Sequence, residues 1–171
     1  MKRDIAFEVD YPHPPQKVWR ALTDSKILAR WLMENDFEPR LGHRFTFRMK
    51  PQPGFDGIVH CEVLEFEPER RMTWSWRGGP LDTEVSFLLD EVPHGTRLRV
   101  AHTGFGGLRA RLVRILLSIG SRTLYGRRLP DLLDGLDGAP PSRTCMSWTQ
   151  RVLATIASFL PHRRPNDRAT P

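Results

Sequence analysis

No apolar run in this 171-residue chain approaches the ~20 residues needed to cross a bilayer, which excludes a spanning helix. The opening Met1-Lys2-Arg3-Asp4-Ile5 passes straight into an alternating pattern and has no apolar core of a secretory signal, so a cytoplasmic location is expected. Cysteine is nearly absent. Cys61 and Cys145 stand far apart in unlike contexts and offer neither a disulfide framework nor metal-ligand spacing. Cys61 is expected to be a small buried hydrophobe and Cys145 an exposed linker thiol. There is no G-x-S-x-G, no phosphate-cradling glycine loop and no His/Cys metal spacing. No metal and no cofactor is therefore expected. Gly104-Phe105-Gly106-Gly107 lacks the G-x-G-x-x-G spacing and reads as a hinge from strand to helix.

Lysine is also scarce, at 4 against 22 arginines. The formal charge of +6 is uneven: residues 1–104 carry 15 Lys and Arg against 16 Asp and Glu, whereas residues 105–171 carry 11 Arg against 4 Asp. Such asymmetry can mark a nucleic-acid or anionic-lipid surface. The arginine preference runs through the whole chain, however, which is the sign of a general bias and not of a local device. Nucleic acid is not the expected partner, and peripheral membrane contact ranks below other roles.

What is present is a clear change of period along the chain. Pro14 to Leu32 reads as two short helices. Val18, Trp19 and Leu22 form one apolar face, and Leu28, Trp31 and Leu32 form the next. Proline suits the first turn, and Asp24 or Ser25 can cap the second helix. Before them, Ile5, Phe7, Val9 and Tyr11 alternate as a strand. After a polar, loop-like stretch from Met33 to Leu41, alternation returns in Phe45-Phe47-Met49, Met72-Trp74-Trp76, Val85-Phe87-Leu89 and Leu98-Val100-His102. Between these, Ile58–Glu67 changes parity: Val59, Cys61 and Val63 share one face while Ile58, Leu64 and Phe66 share the other. A β-bulge near Val63-Leu64 would reconcile them. From Leu108 to Leu136 the apolar spacing is helical, with Gly120, Gly126 and Pro130 expected to bend or divide the helix.

These elements predict an α+β domain over residues 1–138: a curved antiparallel sheet of six or seven strands wrapped around a long C-terminal helix, with two short helices after the first strand. Residues 139–171 are expected to be an extension. It would hold a short amphipathic helix over about 146–160, carrying Trp148, Val152, Ile156 and Phe159, and a disordered basic tail. That extension can dock on its own domain, pair two copies as a homodimer, meet a protein partner, or lie on an anionic membrane.

Pro14-Pro15-x-x-Val18-Trp19-x-Ala21-Leu22-Thr23-Asp24 followed by Trp31-Leu32 resembles the START-like (SRPBCC, helix-grip, Bet v 1-like) superfamily. Phe45-x-Phe47, Pro68-x-Arg70-Arg71-Met72-x-Trp74-x-Trp76, Gly95-Thr96-Arg97-Leu98 and His102-Thr103-Gly104-Phe105 extend the resemblance. Within that superfamily the chain is most similar to the family named for homology to the activator of the heat-shock protein 90 ATPase. The resemblance implies a ligand cavity between sheet and last helix, but fold alone does not choose a function. The expected lining is Trp31, Phe45, Phe47, Met49, Trp74, Trp76, Phe87, His102 and Phe105, with Leu112 and Leu116 from the helix.

Three functions follow. The first is non-enzymatic binding of a hydrophobic small molecule such as a lipid, polyketide or aromatic compound. The second is a co-chaperone-like or stress-response interaction domain. The third is a cyclase or hydrolase that uses His102 as base. The first is preferred, with no catalytic residue assigned; His102 is more simply read as a structural hydrogen-bond donor.

Overall fold

A computed structural model describes residues 5–51 and 55–136, with the side chains of 107–112 and 116 also outside the described set. The predicted extension 139–171 lies outside the described residues. In chain order the elements are β1 (Ile5–Tyr11), α1 (Pro15–Thr23), α2 (Ser25–Trp31), β2 (Glu34–Asn35), β3 (Arg44–Arg48), β4 (Ile58–Glu67), β5 (Arg71–Gly78), β6 (Leu81–Val92) and β7 (Gly95–Thr103). Then come α3 (Gly107–Thr123), a π-helical turn (Leu124–Arg128) and α4 (Leu129–Gly135).

The strands form one antiparallel sheet in the order β1-β7-β6-β5-β4-β3-β2. From β3 to β7 every neighbour in the chain is a neighbour in the sheet. The first strand closes onto the last, with Ile5 opposite His102 and Tyr11 opposite Thr96. The curved antiparallel sheet, the two early helices and the terminal helix are the arrangement that the pattern predicts, and together they form the helix-grip architecture that the resemblance implies. The sheet has seven strands because Glu34-Asn35, in the stretch read as loop, pairs with Phe47-Arg48.

The parity change in β4 has the expected cause. Its register against β5 shifts between Val63 and Glu65. Val59, Cys61 and Val63 are buried, Leu64 is exposed, and past the extra residue Phe66 returns to the inner face and meets the Trp19 ring at 5.6 Å. The disrupted ladder is repaired locally, since the Glu62 N–H donates to Ser75 Oγ at 2.9 Å.

Asp24 separates the opening helices. Its N–H closes α1 on Arg20 O, and its Oδ1 caps α2 by accepting from Lys26 N and Ile27 N at 2.9 and 3.1 Å. The inward faces of α1 and α2, including Val18, Leu22 and Leu28, are fully buried in the main core.

The terminal helix divides where Gly126 and Pro130 stand. Leu129 N bonds Leu124 O, five residues back. The carbonyl of Tyr125 then has no helical donor, because position 130 is a proline without an N–H. The buried Tyr11 hydroxyl supplies one, donating to Tyr125 O at 2.7 Å. One end of β1 is thereby bolted to the break in the helix.

Candidate functional site: the aromatic face of the grip

The inner face of the sheet carries its aromatics in two zones. In the first, Phe45 and Phe47 of β3, Trp74 of β5 and Phe87 of β6 meet with ring centroids 4.8–5.6 Å apart. Phe37 closes the cluster against Phe45 and Trp74 at 5.0 and 5.7 Å. Trp31 stands edge-on to Tyr125 at 5.4 Å, and its indole N–H donates to Ala21 O at 2.9 Å. These rings are all essentially without solvent contact. This zone is a packed core, each ring contributing roughly 2–3 kcal/mol by burial. Trp74 Nε1 is buried here without a hydrogen-bond partner, a donor that a polar group entering the core would satisfy.

The second zone lies toward the other end of the same face. Trp76, half-buried, joins the zones by contacting Phe47 at 5.3 Å and His102 at 6.2 Å. His102 meets Phe105 at 4.6 Å. Its Nε2 lies 2.8 Å from Thr83 Oγ1, and that hydroxyl donates to Trp76 O at 3.2 Å. The Thr83 hydroxyl thus stands between the imidazole and the Trp76 carbonyl. His102 is held by this bond. Met49 is half-buried against the main core.

Helix α3 reaches this second zone through Val113 and Leu117, which pack with Ile5, Leu81 and Phe105 in a cluster separate from the main core. The turn before it bends at Gly104 with φ of 95°, the left-handed region that favours glycine. That placement fits the hinge expected from Gly104-Phe105-Gly106-Gly107. The side chains of Leu112 and Leu116 lie outside the described residues.

Of the residues named from sequence, Trp31, Phe45, Phe47, Trp74 and Phe87 fall in the packed zone. Trp76, His102 and Phe105 fall together in the second zone, Trp76 half-buried and His102 and Phe105 buried. His60 and Glu62 lie on the outer face of β4, away from His102: His60 is exposed and Glu62 pairs with Arg44 at 3.1 Å. The bulge follows them, so their parity is opposite to that of Cys61. Sequence reading missed Phe37, Thr83 and Tyr125. Thr83 was discoverable, for it shares the inward parity of Val85 and Phe87.

The outer face of the sheet is different in kind. Ala6, Ala101 and Ser86 lie in register across β1, β7 and β6 and floor an open hollow of about 780 Å³. The charges around it pair with one another, Arg99 with Asp90 at 3.1 Å and with Glu8 at 3.6 Å. Among the described residues no three His, Cys, Asp or Glu side chains converge as a metal site, and no helix is long and apolar enough to cross a membrane.

A curved sheet gripping a divided terminal helix, with an aromatic inner face, defines a START-like helix-grip domain. Residues 12–133 match the model of the family described as activator of Hsp90 ATPase homolog 1-like protein, and the chain belongs to that family. Among solved structures, MLL2253 from Mesorhizobium loti is 34% identical with a TM-score of 0.70, over 79% of this chain and 99% of that one. BH1534 from Bacillus halodurans is 27% identical with a TM-score of 0.67, over 78% and 99%. CalU16 from Micromonospora echinospora is 26% identical with a TM-score of 0.59, over 92% and 88%. Comparison with curated proteins gives no match.

Proposed function

We propose that the protein binds a hydrophobic small molecule, of lipid, polyketide or aromatic class, between the second aromatic zone and α3, without transforming it. The observation that carries this reading is the set Trp76, His102, Phe105 and Thr83. It joins apolar walls to one fixed polar pair, beneath a helix attached through Val113 and Leu117. Sites for such ligands are mostly apolar with a few placed polar groups. The His102–Thr83 bond supports a positioning role for His102, because it fixes the orientation of the imidazole.

The test is a thermal-shift and tryptophan-fluorescence screen of the full chain with lipids, polyketides and aromatic acids. A binder should raise the melting temperature, because it stabilises the folded state alone. Trp76→Ala should weaken that binder at least about ten-fold. Silence across the panel, or a binder that Trp76→Ala holds unchanged, overturns the reading.

A further inference from the structure

Helix α3 presents two apolar faces. Val113 and Leu117, continued by Leu124 just past its end, repeat at i, i+4 and i+11 and turn to the domain. On the opposite side Ile115 and Ile119, one turn apart, are 50% and 60% exposed, and positions 108 and 112, both leucine, precede Ile115 by seven and three residues. An exposed isoleucine pair on a surface helix leaves apolar area in water that a partner would remove.

We infer that the segment 146–160 of the same chain docks as an amphipathic helix on this outer face of α3. Its sequence supplies a matching stripe, since Trp148, Val152, Ile156 and Phe159 follow one another at i, i+4, i+8 and i+11. The connection allows it. From Leu136 back to Ile119 is about 25 Å along the helix axis, and the nine residues 137–145 span up to about 30 Å.

Two other occupants fit less well. A second copy of α3 would have to build its interface around two isoleucines, far short of the roughly 1,200 Å² that a stable complex buries. A tethered segment needs no such area, because a short linker keeps it at an effective concentration of order mM. A membrane surface calls for a helix with a basic polar face, yet Arg151 is the segment's one charged residue; Arg163, Arg164 and Arg168 lie beyond it.

Hydrogen exchange on the full-length protein tests the inference. Amides of 146–160 should be protected to the same degree at low and high protein concentration. Ile115→Asp/Ile119→Asp should remove at least about ten-fold of that protection. Val152→Asp/Ile156→Asp should in turn speed exchange in α3 while β5 to β7 stay as slow as in the wild type. The inference fails if 146–160 exchanges at random-coil rates in the wild type, or if its protection survives Ile115→Asp/Ile119→Asp. It fails equally if protection is lost on dilution, which indicates a second copy, or arises only with phosphatidylglycerol vesicles, which indicates a membrane. None of these readouts depends on a ligand in the grip.

Discussion

Replacing Tyr11 by phenylalanine should be felt at the far end of the chain. Tyr11 is 2% exposed, and its hydroxyl is the donor to Tyr125 O, 114 residues away. Phenylalanine fills nearly the same space, so the change removes one buried hydrogen bond and strands a carbonyl. Such losses cost about 1–3 kcal/mol. A value near 1.5 kcal/mol lowers the melting temperature by roughly 5 °C for a domain of this size. The double-mutant cycle with Pro130→Ala isolates the cause. Alanine at 130 restores an N–H five residues after Tyr125, the spacing that Leu124 and Leu129 already use, and so gives the carbonyl a second source. In that background Tyr11→Phe should cost less than about 0.5 kcal/mol, a coupling of roughly 1 kcal/mol. Urea unfolding with unchanged m-values is the assay. Equal costs in both backgrounds would refute the account of the helix break.

Gly95 has φ of 140°, and a Cβ there would collide with the Tyr11 carbonyl and press on His13 N; Gly95→Ala should therefore destabilise by more than about 2 kcal/mol, read as a lower urea midpoint. Asp24→Ala removes the cap of α2 and should cost about 1 kcal/mol in the same measurement, with Asp24→Asn recovering most of it. Burial pushes the Cys61 thiol well above its ordinary range. In a Cys145→Ser variant, Ellman's reagent at pH 8 should find no reactive thiol until denaturant is added; rapid modification of the native protein would contradict the burial of β4.

Where an element repeats a period over several residues, it was legible before any coordinates. The alternating runs from Phe45 to His102 became β3 to β7, and the conflict between Val63 and Phe66 located the bulge. Asp24 announced the break between α1 and α2, and Gly126 with Pro130 announced the division of the last helix. Phe37 was not legible, because it stands alone among polar residues and is fixed by contacts with Phe45 and Trp74 on other elements. Nor does alternation reveal the two zones of the aromatic face. Parity says that Trp74 and Trp76 both point inward; how tightly each is enclosed depends on the curvature of the sheet and the stand of α3.

The π-turn also sets the rotational phase of the terminal helix. The inward stripe of α3 runs on to Leu124 at the start of the π-turn, and that of α4 begins at Leu129. Five residues on a regular helix amount to about 140° of rotation, so a straight helix could bury one stripe only by turning the other toward solvent. The wider turn carries Leu129 back to nearly the side of Leu124, and a single extra residue becomes a phase correction. A lesion at this one turn would therefore change which face α3 shows the sheet, while every strand kept its register.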